Sequence, residues 1–251
     1  MKRVLIVGAD FTPSSHPPAL RIRFFAQHLR EFGWEPVVLT TDPAHYETEI
    51  DSENERLLPP DLEVVRTSAL PRELARKLGF GDVALRSLWH HWRALVRICR
   101  ERPVDLILVP IPPNWTMLLG RFAYIRLGIP YVIDYSDPVG SDYYWQLPRS
   151  QRPPKYALVY SLVRKIERFA IKRAAHIVAV SRGIAEGLAA PDTAVAIDRS
   201  WRPAHQDRRP PARLPTPARS RRVRRSSLEV GCGGISLCHT FAIGGQRRHQ
   251  D

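Results

Sequence analysis

Cysteine is scarce in this chain. Cys99, Cys232 and Cys238 are scattered over 251 positions. An odd number at wide spacing describes no disulfide framework, and a reducing compartment is the simpler expectation. Two of the three fall in "CGGISLCH" (232–239), but a second ligand pair at finger spacing is missing, so no metal site is expected. Long apolar runs are missing as well. None approaches the roughly 18 residues of a membrane span, and "MKRVLIVGAD" holds too short a run for a signal-peptide core. It reads instead as a buried strand that begins the fold. The first loop has one glycine, Gly8, where a dinucleotide fingerprint needs three, and no Gly-Lys-Ser/Thr follows it. Hydride chemistry and a Walker-type nucleotide site therefore get no support, and no cofactor is expected.

Acidic charge is also in short supply. The formal net charge is +13. Residues 191–251 carry 12 of the 38 Lys+Arg and five of the 25 acids, a surplus of +7 in the last quarter. None of the five lysines lies there. Such a surplus invites a polyanion as partner, but where the charge sits matters more than its sum.

What is present over the first 190 residues is alternation. Short apolar runs occur at 3–9, 35–41, 62–67, 104–110, 130–135 and 176–181, rich in Val, Ile and Leu. They fit strands buried on both faces. Between them lie amphipathic stretches at 19–33, 82–102, 114–128 and 154–175, two of which end at Gly33 and Gly128. This predicts an α/β fold, a Rossmann-like parallel sheet with helices on both faces, over residues 1–190. Ligands in such folds sit beyond the carboxyl ends of the strands, which singles out loops 10–19, 110–115, 134–145 and 181–184. The polar, acidic excursion 42–61 reads as surface.

Three of those loops carry candidate residues. In "GADFTPSSHPPALR" (8–21), Ser14, Ser15, His16 and the following backbone amides suit an anion at a helix start, with Arg21 one turn inside; a Pro-rich turn with a serine cap is the equal alternative. In "IDYSDP" (133–138), Asp134 and Asp137 stand at a strand end where carboxylates orient hydroxyls or act as a base, or where Asp137 only caps a turn before Pro138. In "PIPPNWTM" (110–117), Asn114 reads as a helix N-cap, and Trp115 as core more than as a stacking platform. Trp89, His90, His91 and Trp92 read as packing and surface, since adjacent histidines face different directions.

Three stretches, 3–43, 104–138 and "VRKIERFAIKRAAHIVAVSRGIAEGL" (163–188), together resemble the N-terminal domain of GT-B glycosyltransferases of the family 4 group, over about residues 3–189. The resemblance implies sugar transfer from a nucleotide-sugar donor to a glycan, lipid-linked or other acceptor, usually with retention. It implies two Rossmann-like domains facing across a cleft, the first holding the acceptor. Ser14, Ser15, His16 and Arg21 would then lie near the donor phosphates and the acceptor. Asp134, Ser136 and Asp137 would line the cleft, with Asp137 as the catalytic candidate. Many relatives carry His, or an Arg–Asp pair, at the Ser136–Asp137 position; here Ser136 stands in that place and Asp137 remains. A cytoplasmic location is implied, with peripheral membrane contact that the basic stretch 164–173 would permit, although a solvated face is the preferred reading of that stretch. Nucleic acid is not expected as a partner.

The resemblance also implies a donor-binding domain of roughly 150–200 residues after Ser181. About 70 residues follow, with no Glu-x7-Glu motif. The expectation is a family member that lacks its donor half and is inactive alone. From about residue 190 the apolar periodicity ends, and "RRPPARLPTPARSRRVRR" (208–225) follows. Three readings compete for 191–251: an out-of-frame translation of a GC-rich gene, which the missing lysines favour; a disordered tail; and a polyanion-binding arm. The alternative for the whole chain is a non-catalytic α/β binding module with that basic arm.

Overall fold

A parallel sheet covered on both faces forces each central strand to be apolar throughout. β1 (Lys2–Val7) obeys this from its third residue: Lys2 is exposed, Arg3 is buried, and the four residues that follow are apolar and buried. The computed structural model describes residues 1–77, 81–139, 143–152 and 156–188. The readings made of 191–251 lie outside them.

β1 is followed by α1 (Pro17–His28), β2 (Trp34–Thr41) and β3 (Glu63–Thr67). Then come α2 (Arg72–Lys77), α3 (Val83–Glu101), β4 (Leu106–Ile111), α4 (Met117–Leu127) and β5 (Tyr131–Tyr135). α5 (Tyr143–Gln146), α6 (Tyr156–Ile171), β6 (His176–Ala179) and α7 (Arg182–Leu188) complete the described elements. The six strands are all parallel, in the order β3-β2-β1-β4-β5-β6. Chain order reverses between β1 and β4, which pair through Val4↔Leu106 to Ile6↔Leu108. Their carboxyl ends therefore open the crevice where such sheets bind ligands.

The pleat of the strands sorts two cores. Val4, Ile6, Val38, Leu106, Leu108 and Val132 face α1, whose Ile22 and Ala26 pack against them. Leu5, Val7, Val37, Ile107, Val109 and Ile133 face the other way, toward α3, α4 and α6. Each fully buried Leu or Ile side chain contributes about 1.5–3 kcal/mol of burial energy. The fold class expected from the sequence is the one observed.

The six strands and four long helices stand where the sequence puts them. Gly33 (φ 80) and Gly128 (φ 69) take up the left-handed conformation that ends the first helical stretch and α4. Asp82 starts α3, its side chain accepting from Ala84 N at 2.7 Å. The expected cap at Asn114 is not formed. Asn114 is the first residue of a 3-10 turn, Asn114–Thr116, that leads directly into α4, and Pro113 occupies the preceding position without a side-chain cap bond. A 3-10 turn running into a helix moves the start of the α-helix on by three residues. Unforeseen are α2, α5, α7 and two 3-10 turns inside the polar excursion, Pro43–His45 and Ser52–Leu57.

Candidate functional site

The candidate residues follow three adjacent strands. Loop 8–16 leaves β1, loop 112–116 leaves β4, and Ser136–Asp137 leaves β5. Cis peptides precede Pro13, Pro112 and Pro113. Pairing of β4 with β5 extends past the strands, Ser136 N donating to Ile111 O at 3.0 Å. The two loops thus leave the sheet side by side.

Arg21 and Asp134 meet. Asp134 is fully buried in β5. The Arg21 guanidinium reaches it from α1 as a fork, Nη2 to Oδ1 at 2.6 Å and Nε to Oδ2. Burial pushes the Asp134 carboxyl above the ordinary carboxylate range, and Arg21 pulls against that shift. The guanidinium also lies over the ring of Phe25, at 5.2 Å from its centroid, which fixes its plane.

Ser14 and His16 form a second cluster around a residue the sequence reading passed over, Asp10. Asp10 is buried at the end of β1. Ser14 Oγ donates to its Oδ2 at 3.1 Å, and His16 Nδ1 lies 3.3 Å from the same oxygen. The backbone N–H of His16 in turn donates to Ser14 Oγ at 3.2 Å. Burial raises the Asp10 carboxyl and His16 opposes the rise. The His16 ring remains about half exposed at the rim, so the buried carboxylate holds an accessible imidazole.

The excursion 42–61 is the other part that sequence reasoning missed. It lies on the surface, as expected, but it also folds onto loop 8–16. Ser14 bridges Ile50 in antiparallel fashion, Ser15 N donates to Glu49 O at 3.1 Å, and Asp51 N donates to Pro13 O at 2.8 Å. Ser14 Oγ also pairs with Thr48 Oγ1 at 2.9 Å, and Ser15 Oγ with Glu49 O at 3.1 Å. Tyr46 is the hub. Its hydroxyl donates to Thr41 O at 2.8 Å and accepts from Phe11 N at 3.0 Å. From α3, buried Arg86 holds His45 O at 2.8 Å and lies 3.4 Å from Glu47. The two serines are therefore spent on the shape of the loop.

Ser136 and Asp137 are placed differently. Ser136 Oγ is buried and has no hydrogen-bond partner among the described residues. Asp137 is exposed. Asn114 is partly buried after β4, the strand between β1 and β5. Among the described residues no group of three His, Cys, Asp or Glu side chains is arranged to hold a metal ion. At the carboxyl-end side of β1, β4 and β5 the chain places one imidazole, one exposed carboxylate, one hydroxyl without a partner among the described residues and one guanidinium. These groups can bind hydroxyls and an anion.

Comparison with known structures returns GT-B-like sugar-transfer proteins. A UGT transferase from Siraitia grosvenorii in complex with UDP is 13% identical over 71% of this chain and 44% of its own, with a TM-score of 0.46. Apo UGT2 of Phytolacca americana is 15% identical over 71% and 45%, also at 0.46. Alr3699/HepE of Anabaena, in complex with UDP and glucose, is 14% identical over 73% and 39%, at 0.42. The chain spans less than half the length of each of these proteins. No curated protein matches its sequence. The profile of the glycosyl transferase 4-like domain matches residues 18–196, well over half of the chain, from the start of α1 past α7. The chain belongs to the glycosyl transferase 4-like family.

Proposed function

We propose that this chain forms the acceptor side of a glycosyl-transfer cleft. In this reading a nucleotide-sugar is the donor, and the sugar passes to a hydroxyl of a glycan, lipid-linked or other acceptor. One observation carries it: His16 after β1, Arg21 on α1, and Ser136 and Asp137 after β5 stand toward the carboxyl ends of the strands near the point where chain order reverses, and all but His16 fall within the family-matched residues.

The roles follow from which groups are already engaged. Ser14 and Ser15 hold the loop, and through it His16 is presented to the acceptor. Arg21 spends Nε and Nη2 on Asp134, which leaves Nη1 for a donor phosphate. Asp134, buried and forked, positions Arg21. Ser136, whose hydroxyl is buried without a partner among the described residues, reaches the acceptor by turning outward, Asn114 lines the same edge, and Asp137 takes the role of the orienting carboxylate. Scarce cysteine suits work in the cytoplasm.

Transfer also needs groups that stabilise the leaving nucleotide, usually the largest single contribution. The residues after Ser181 contain no Glu-x7-Glu, and this chain alone is expected to transfer no sugar. Incubation of the purified full chain with UDP-glucose and a panel of oligosaccharides and polyprenyl-phosphate sugars measures this; turnover overturns it. The same panel, printed as an array, tests the acceptor side. Binding that falls at least tenfold in Ser136→Leu, with an unchanged circular dichroism spectrum, supports the reading; an array without a ligand overturns it. A companion measurement resequences the coding DNA from codon 180 and translates all three frames, where a Glu-x7-Glu domain is expected.

A further inference from the structure

α6 runs on past the end of the sheet. Two tyrosines of β5 fix its lower half: the Tyr131 hydroxyl donates to Ala170 O, and the Tyr135 hydroxyl donates to Glu167 Oε1 at 3.3 Å. Tyr135 is the last residue of β5. Measured from Glu167, Tyr160 and Tyr156 stand about 10 and 16 Å further along the helix axis, on the side of the carboxyl edge. Residues 156, 160, 163, 167 and 170 form one helical stripe. Its lower members Glu167 and Ala170 are buried, and Val163 packs against the core. Tyr160 and Tyr156 keep the direction of that stripe where β5 has already ended, so this part of the helix faces the space beyond the strand.

The candidate residues border the same edge. The pleat of β5 turns Asp134, and with it Arg21, to the side covered by α1, while Tyr131 and Tyr135 point to α6. Ser136 and Asp137 leave the strand between these two sides. α6 also packs beside the turn Asn114–Thr116 that follows β4. The rings at its start are gathered. Tyr156 and Tyr160 have centroids 5.6 Å apart, and Tyr144 of α5 adds a third ring 4.8 Å from Tyr156. All three remain partly exposed.

The chemistry of these rings names the occupant. Residues 156–163, the first two turns of α6, carry no charge, so a diphosphate or an acidic peptide finds no cation on them. An aliphatic chain uses the ring faces and gains nothing from the phenol hydroxyls. A sugar ring uses both: its C–H face lies on an aromatic face, and its rim of hydroxyls meets the phenol hydroxyls. We propose that Tyr144, Tyr156 and Tyr160 form a subsite for the inner sugar units of a glycan acceptor whose terminal unit lies at Ser136 and Asp137. This rests on the glycosyl-transfer reading and narrows it, since the acceptor is then an oligosaccharide and not a single sugar or a bare lipid.

Titration of the full chain with the mono-, di- and trisaccharides of glucose, galactose, mannose and N-acetylglucosamine, followed by saturation-transfer NMR, tests the proposal. In one series the trisaccharide is expected to bind at least tenfold more tightly than the monosaccharide, with saturation reaching the C–H groups of its inner rings. That gain is expected to vanish in the double variant Tyr156→Ala, Tyr160→Ala. Tyr160→Leu keeps apolar bulk at the helix start without the aromatic face and is expected to lose at least fivefold in trisaccharide affinity. Tyr160→Phe keeps the face and is expected to stay within about threefold of the parent chain. Circular dichroism checks the fold of each variant. Binding that is indifferent to glycan length, or trisaccharide affinity that survives the double variant, overturns the subsite; if Ser136→Leu still abolishes that binding, the acceptor reading stands. Absence of binding in every series also overturns the subsite, and the acceptor reading falls with it only when the printed array is without a ligand as well.

Discussion

Arg21 on the first helix and Asp134 in the fifth strand, 113 positions apart, hold each other as a fork at the mouth of the candidate site. The carboxylate is fully buried, and the guanidinium is partly open to solvent. Removing the cation strands a buried charge. Arg21→Ala is expected to cost about 3–5 kcal/mol. Replacing both partners by apolar groups, Arg21→Met with Asp134→Leu, removes the stranded charge and is expected to recover much of that loss. Urea unfolding of the two single variants and the double variant measures the coupling; additive losses would contradict the pairing.

Tyr46 ties the excursion to the first loop. In Tyr46→Phe the buried N–H of Phe11 loses its acceptor at 3.0 Å. The cost of an unsatisfied buried amide is about 1–3 kcal/mol. Hydrogen exchange of the Phe11 amide is expected to speed up accordingly, while amides in β5 keep their protection. Unchanged exchange at Phe11 would remove Tyr46 from its role.

His91 gives the chain an acid-sensitive point. It is buried on α3 between Thr41 Oγ1 at 3.3 Å and Ser87 Oγ at 3.4 Å. Burial pushes its pKa down to about 4 from an ordinary 6.5. In the unfolded chain it takes up a proton near pH 6.5, while the folded chain resists until about pH 4. Stability from neutral His91 is therefore complete above about pH 6.5 and is lost as pH falls toward 4, by about 3 kcal/mol at most. Thermal unfolding between pH 7 and pH 4 is expected to show a shallower decline in His91→Gln than in the parent chain. Parallel profiles would refute the assignment.

Gly120 sets a helix rule against a packing rule. Glycine inside a helix is worth about 1 kcal/mol less than alanine, so Gly120→Ala in α4 looks favourable. A Cβ there would lie 2.7 Å from Tyr131 Cδ2 and 3.1 Å from Val109 Cγ2. The ring cannot swing away, because its hydroxyl donates to Ala170 O. Overpacking of about 1–3 kcal/mol is expected to win, with a lower melting temperature in Gly120→Ala.

The sheet was legible because both of its faces are covered, so that β4 is an uninterrupted apolar run in the sequence, β1 one after Arg3, and β5 one broken only by Asp134. Glycines 33 and 128 marked helix ends for a backbone reason that sequence displays. Arg21 and Asp134 were each visible as candidates, but no local spacing announces that they touch. Asp10 was hidden in the loop itself, since a single acid after a strand carries no period. The excursion looked like plain surface because its order comes from side chains bonding nearby backbone. Asp42 accepts from Ala44 N at 2.9 Å, and Asp51 from Glu53 N at 3.0 Å. An aspartate two residues ahead of the amide it binds, as in "DPAHY" and "DSENE", was the available signal. Nothing in those residues foretells that Tyr46 and Ser14 join the excursion to the first loop.

The link from β2 to β3 holds two 3-10 turns with no buried residue in either. Its inner side meets the loop that presents His16. A segment that meets the hydrophobic core chiefly through Leu58 can be rewritten elsewhere without repacking the sheet. Under the glycosyl-transfer reading, exchange of residues 43–61 between relatives would be a route to new acceptor preferences on an unchanged frame, provided that Tyr46, Thr48 and Leu58 are carried over as its fastenings.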